Sequence, residues 1–175
     1  MKNGLVVITG FMGSGKSTVA RALAFRLDSE MIDLDEEILK QEERSAQQII
    51  EEDGEPAFRA IETRVFRDVL QTNAAGVIAL GGGAWITPRN RELVTEAGGV
   101  SVWLDAPFNL CWQRIVTSDD GRPLAPNKKA AHARYTERRT VYVTADLHVS
   151  ATANKTADGV ALEIVKALAE RLSAS

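Results

Sequence analysis

Apolar residues recur along this chain with two different spacings, and the alternation between them outlines a fold. Short β-branched runs such as Leu5-Val6-Val7-Ile8 and Val77-Ile78-Ala79-Leu80 have the length of buried strands. Together they predict strands at 5–9, 30–33, 77–80, 100–104 and 147–150. Longer stretches with helical spacing separate them, predicting helices at 18–27, 35–53, 56–71, 88–97, 107–116 and 156–172. In the last of these, Ala161, Ile164, Val165, Leu168 and Leu172 form one apolar stripe, expected to face the core. Strand and helix in alternation imply parallel strands, because a parallel connection needs a crossover element. The expected architecture is therefore α/β: a three-layer αβα sandwich around a five-stranded parallel sheet. No repeat, low-complexity tract or flexible linker divides the chain, so residues 1–175 are expected to form one domain. One segment departs from the pattern. "SDDGRPLAPNKKAAHARYTERR" is polar and rich in Gly, Pro and Arg, and predicts a mobile lid over about 117–131 that opens into a helix.

The turn after the first strand carries the clearest chemistry. "GFMGSGKST" fits the P-loop pattern G-x-x-x-x-G-K-[ST] at Gly10, Gly15, Lys16 and Ser17, between a β-branched strand and a helical period. Its glycines let successive backbone N–H groups turn inward around a phosphate. Gly13, Ser14, Gly15, Lys16, Ser17 and Thr18 are the candidate nucleotide-phosphate site, helped by the dipole of the following helix. Lys16 would reach the β- and γ-phosphates, and the Ser17 hydroxyl would ligate Mg²⁺ carried in with the nucleotide. A glycine-rich turn that merely joins strand to helix is the bland alternative.

In open α/β sheets ligands bind beyond the carboxyl ends of the strands, and each strand end here offers something. The second ends in "DLD", where Asp33 and Asp35 are expected to point the same way from an extended segment. One could hold hydrated Mg²⁺ and the other orient or deprotonate an acceptor hydroxyl; alternatively Asp35 only caps the next helix. The third ends in Gly81, Gly82 and Gly83, which permit close approach of a ligand or simply form a loop. Between them, in "GEPAFRAIE", Arg59 and Glu62 stand one helical turn apart and can pair, fixing a guanidinium suited to a carboxylate substrate. The same pair on a solvated helix face would be unremarkable chemistry. In "GRPL", Arg122 could swing from the lid onto a transferring phosphate. In "ERRTVY", Arg138 precedes Tyr142 by four residues and is a candidate second substrate cation.

Composition narrows the substrate. With 45% apolar and 26% charged residues and a net charge of −3, the chain has no electrostatic case for nucleic acid, so a small substrate is expected. No apolar run approaches the roughly 18 residues needed to span a bilayer, and the chain runs directly into its first strand, so no membrane partner and a cytoplasmic location are expected. Cys111 has no disulfide partner and is read as packing, and His132 and His148 lack a metal-ligand constellation.

In order along the chain, "GFMGSGKST", "DLD", "GEPAFRAIE", "GGGA", "VWLDAP", "GRPL" and an Arg-x-x-x-Tyr followed by "TADLHV" resemble the shikimate kinases, a family of P-loop kinases. The P-loop alone is unspecific; the ordered combination with "FRAIE", "GGG" and "RPL" is much more so. The resemblance implies that Asp35, Arg59, Gly81, Gly82, Gly83 and Arg138 bind shikimate, the arginines on its carboxylate. It implies that the P-loop holds ATP, with Asp33 in the outer shell of Mg²⁺ and Arg122 closing from the lid. Arg114, in "CWQRIV", and Asn154 match the family's adenine contacts. Lys16, Asp35 and Arg122 would carry catalysis, and region 34–62 the acceptor site. Phosphate would pass directly to the shikimate 3-hydroxyl, in a monomer whose partners are shikimate and ATP. Arg122 and Arg138 stand 16 positions apart, closer than in the family, which implies a shorter or differently hinged lid. Arg139 leaves the register of Arg138 open by one position, although the spacing to Tyr142 favours Arg138. A kinase of another small acid such as gluconate, or a nucleotide-binding protein without turnover, are the competing readings.

Overall fold

Four consecutive buried residues, Val6–Thr9, form β1 at the centre of a parallel sheet ordered β2-β3-β1-β4-β5. In this computed structural model, which describes residues 4–72, 76–118 and 127–174, the other strands are β2 (Met31–Asp33), β3 (Val77–Ala79), β4 (Val100–Asp105) and β5 (Leu147–Ser150). Val7 stands beside Ile78 of β3 on one side and Ser101 of β4 on the other. Near-continuous apolar strands are what a sheet covered on both faces requires. The helices supply that cover: α1 (Lys16–Arg26), α2 (Leu34–Glu42), α3 (Ala46–Asp53), α4 (Glu55–Thr72), α5 (Pro88–Glu96), α6 (Phe108–Thr117), α7 (Lys128–Tyr142) and α8 (Ala157–Ala174). The expected αβα sandwich is thus the observed fold, and all five predicted strands are present.

Three details differ from the sequence expectation. The single helix predicted over 35–53 is two. Glu43 adopts a left-handed conformation at φ 53°, and Ser45 then starts α3 with a capping box: its hydroxyl accepts from Gln48 N, and the Gln48 side chain accepts from Ser45 N. Apolar spacing does not register such a restart, because both pieces keep their apolar side inward. A 3₁₀ turn over Ala84–Ile86 was also not foreseen. Finally, Leu172 of the predicted α8 stripe is 78% exposed, whereas Ala161 and Ile164 are fully buried; the helix outlasts the core beneath it. At the predicted lid, residue 117 closes α6 and 128–131 open α7, where Asn127 accepts from Ala130 N at 2.9 Å; residues 119–126, with Arg122, lie outside those described.

Candidate active site

Between β1 and α1 the chain turns through residues 10–15, and the turn is possible only with glycine at its tightest point. Gly13 has φ 76°, and a Cβ there would lie 2.6 Å from the Cys111 carbonyl oxygen of α6. Gly15 caps α1 without a side-chain hydrogen bond, and no acidic residue occupies the first turn, so the helix N-terminus is left to an external anion. The buried Ser14 hydroxyl has no partner among the described residues. Lys16 Nζ rests on the Phe11 carbonyl at 2.9 Å. The Ser17 hydroxyl donates to Asp33 Oδ2 at 2.5 Å.

The two aspartates of "DLD" do not share an extended segment. β2 ends at Asp33, whose Oδ1 accepts from Asp35 N at 3.0 Å and so caps α2, while Asp35 lies in the first helical turn. The capping role considered for Asp35 thus belongs to Asp33. Asp33, Asp35 and Gly82 nevertheless line one cleft of about 530 Å³ with the whole of Gly13 to Thr18. Arg114 closes its far side, Nη1 donating to the Gly13 carbonyl at 3.1 Å. Asn154 is exposed and outside this lining, which its neighbours Thr152 and Lys155 join. Among the described residues no group of three or more His, Cys, Asp or Glu could hold a metal alone. The Ser17 hydroxyl and the Asp33 carboxylate behind it instead suit Mg²⁺, which keeps water and phosphate oxygens as most of its ligands.

Beyond Asp35 the site becomes cationic. Arg59 of α4 donates to both Glu62 oxygens, at 3.0 and 2.9 Å, and to Glu55 at 3.1 Å. Glu62 is fully buried, and burial pushes its carboxyl up to about 7 against the pull of Arg59, with the Asp35 charge adding to the rise. The three glycines form the floor between these groups. A Cβ on Gly81 would come within 2.9 Å of Asp35 Oδ1, one on Gly82 within 3.5 Å of Arg138 Nη1, and one on Gly83 would collide with the Arg59 guanidinium. Tyr142, buried and pushed up to about 12 by that burial, donates to the Gly82 carbonyl at 2.5 Å and holds the floor in place.

Arg138 and Arg139 face different ways. Arg138 is 8% exposed, and no carboxylate among the described residues lies within ion-pair distance of it. Burial lowers its pKa, Tyr142 opposes that, and the charges of Arg59 and Arg134 lower it further. Arg139 turns instead to Asp105 at the end of β4. A buried cation short of counter-charge, beside a second fixed guanidinium and above a floor without side chains, is built to receive an anion. The Arg59–Glu62 pair expected from the spacing is present, but the full burial of Glu62 was not visible in the sequence. Sequence reasoning missed Tyr142 as the clamp on Gly82 and Lys155 on the cleft wall.

Comparison with known proteins bears on what the anion is. A family model described as shikimate kinase matches residues 12–169. The shikimate kinases of Ruegeria pomeroyi and Geobacter sulfurreducens are 39% and 43% identical, over 95% and 91% of this chain and 85% and 87% of theirs. Among solved structures, shikimate kinase from Acinetobacter baumannii in complex with shikimate superposes with a TM-score of 0.89 at 30% identity, covering 97% of this chain and 95% of that one. A gluconokinase from Sinorhizobium meliloti, at 17% identity and a TM-score of 0.62 over 98% of this chain and 96% of its own, shares the fold alone.

Proposed function

This chain belongs to the shikimate kinase family, and from that premise we propose how its residues divide the transfer of the ATP γ-phosphate to the shikimate 3-hydroxyl. The observation that carries the assignment is the buried Arg138, without a carboxylate in ion-pair range among the described residues, opposite Arg59 across the glycine floor. Two guanidiniums fixed in this way fit a planar carboxylate, which each can bind with paired N–H groups. Shikimate lies with its carboxylate on Arg59 and Arg138, its ring over Gly81, Gly82 and Gly83, and its 3-hydroxyl at Asp35. ATP enters the cleft from the other side, its phosphates wrapped by the amides of Gly13 to Thr18. Arg114 and, from the exposed rim, Asn154 hold its adenine.

Transfer is a direct in-line displacement with no phosphoenzyme. A bond forms between the shikimate oxygen and the γ-phosphorus, the bond to the β-γ bridging oxygen breaks, ADP leaves, and the hydroxyl proton passes to Asp35. Asp35 orients that hydroxyl as it does so. Lys16 leaves the Phe11 carbonyl for the β- and γ-phosphates and neutralises charge developing on them. Arg122 joins it from the "GRPL" segment, on the strength of its motif alone. Ser17 and Asp33 are the residues that would hold Mg²⁺, which when bound neutralises phosphate charge. A monomer in the cytoplasm, with neither nucleic acid nor membrane as partner, completes the proposal; among the described residues no helix is long and apolar enough to cross a membrane.

The test is ADP release measured in a coupled assay against a panel of sugar and cyclitol acids. Shikimate should support turnover and gluconate should not; turnover with gluconate alone would overturn the acceptor assignment. Lys16→Ala should lower turnover by at least about 10²-fold in a folded protein, and Asp35→Asn by about 10²-fold. Near-normal turnover in folded Lys16→Ala would remove the phosphate assignment.

A further inference from the structure

Arg138 stands in an unfavourable place for a cation, buried, repelled by Arg59 and Arg134 and without an ion-pair partner among the described residues, so the elements around it must hold it there. Its helix, α7, touches the rest of the molecule on two sides. On one, Tyr142 is tied to the Gly82 carbonyl. On the other, Arg139 donates through both terminal nitrogens to Asp105, Nη2 reaching Oδ2 at 3.1 Å, and also to the Tyr135 hydroxyl at 2.9 Å. That hydroxyl in turn donates to the Ala106 carbonyl at 2.9 Å. The Arg139 guanidinium lies 4.7 Å from the centre of the Trp103 ring and 5.4 Å from that of Tyr135. Trp103 packs on Tyr142 at 6.1 Å, so the two anchored sides of α7 meet through one indole. Tyr135 also sets its ring edge-on to Phe11, at 5.2 Å and 87°, and the Phe11 carbonyl is the resting place of Lys16.

We infer that Arg139, held by Asp105 and Tyr135, is a positioning residue that sets the rotation of α7 about its axis and so aims Arg138 at the shikimate carboxylate. The inference rests on the reading above, in which Arg138 binds that carboxylate. The geometry gives Arg139 no contact with the substrate: its side chain is spent on the end of β4. A half-exposed ion pair adds little to stability by itself, but here a bidentate carboxylate, a phenol and two ring faces fix one rotamer together. Because Arg138 and Arg139 are neighbours on one helix, holding the second leaves the first a single direction. Without that hold α7 keeps its Tyr142 tie and its packing on α6 but loses the restraint beside Arg138, which, repelled by the Arg59 and Arg134 charges, can then shift within the acceptor site.

Steady-state kinetics of Arg139→Gln, Asp105→Asn and Arg139→Lys, each alone, and of Arg139→Gln in an Arg138→Lys background, test this. Arg139→Gln and Asp105→Asn should raise KM for shikimate about fivefold to twentyfold, with KM for ATP and kcat moved much less. Arg139→Lys, which keeps a charge for Asp105 but loses the fork and the ring stacking, should recover part of the KM rise seen in Arg139→Gln. In the Arg138→Lys background, Arg139→Gln should add less than about twofold, since it acts only through the residue already changed. An unmoved KM in Arg139→Gln, its full effect persisting in that background, or equal losses for both substrates without rescue by lysine would each overturn the inference. Should Arg139→Gln fail to fold, Asp105→Asn carries the same expectation and the same overturning results. A parent chain inactive on shikimate would overturn the functional reading and this inference with it. An active parent with an unmoved KM in Arg139→Gln overturns this inference alone.

Discussion

Glu62 shows what a single residue contributes when a helix buries it beside a cation. Its carboxyl titrates at about 7 in the folded protein, through burial first, against 4.5 for the free group. Between those values the folded chain holds a proton that the unfolded chain has released, so stability falls as pH rises through this window and levels off above it. Measured against Glu62→Gln by urea unfolding, the parent should lose roughly 3 kcal/mol of relative stability between pH 4.5 and 8. A constant difference across that range would mean Glu62 is ionised throughout. Arg59 belongs to the same scale. Arg59→Lys keeps the charge and loses the fork that grips Glu62 and, in the proposed complex, the substrate. KM for shikimate should rise roughly tenfold to a hundredfold while that for ATP barely moves. An effect confined to ATP would place the carboxylate site elsewhere. The pairing of these two residues was legible from their spacing in "FRAIE"; the depth of Glu62 was not, because burial depends on α2, α3, α5 and the 3₁₀ turn packing against α4.

Elements place these residues, and their junctions are where spacing alone misleads. The region read as one helix over 35–53 breaks at Glu43 because Ser45 and Gln48 satisfy each other's backbone groups and start α3 afresh. Ser45→Ala should cost about 1 kcal/mol, lowering Tm by about 2 to 4 °C, without changing kcat. An unchanged melting temperature would show that the restart is held by packing and not by the cap. The loop after β3 gives the complementary case. Gly83 has φ −96°, so alanine fits its backbone, and the collision falls not on backbone but on the Arg59 guanidinium, which must shift on its Glu62 and Glu55 partners. Gly83→Ala should therefore raise KM for shikimate by about tenfold, with a modest loss of Tm from the disturbed Arg59–Glu62 pair. A large loss of stability with normal KM would show that the loop, not the arginine, needs the glycine. From the sequence "GGG" could be ligand floor or plain loop; the approach of Arg59, Asp35 and Arg138 decides in favour of close packing.

The whole molecule brings the ends of β1, β2 and β3 to one end of the sheet, where Arg59 and Arg138 approach the glycine floor on which the proposed acceptor site rests. Shikimate at a hundredfold excess over its Kd should stabilise the fold by about 2.7 kcal/mol, or roughly 5 to 10 °C in Tm. Arg138→Lys should lose most of that shift, and a shift retained in full would show that Arg138 bears none of the carboxylate. What the sequence determined by itself was whatever depends on neighbours in the chain. Strands and helices followed from apolar spacing, the phosphate loop from glycines set before a helix, and the Arg59–Glu62 pair from a single turn. Tertiary structure decided what depends on residues far apart. It turned Arg138 rather than Arg139 toward the glycine floor, since Asp105, 34 positions earlier, captures Arg139. It gave the cap of α2 to Asp33 while the Ser17 hydroxyl, 16 positions away, shares the same carboxylate. It raised the pKa of Glu62, because charge and solvent exclusion are set by what surrounds a group in space. Local pattern carries none of that information, and the direction of one arginine is settled only when the strand that holds its neighbour has taken its place in the sheet.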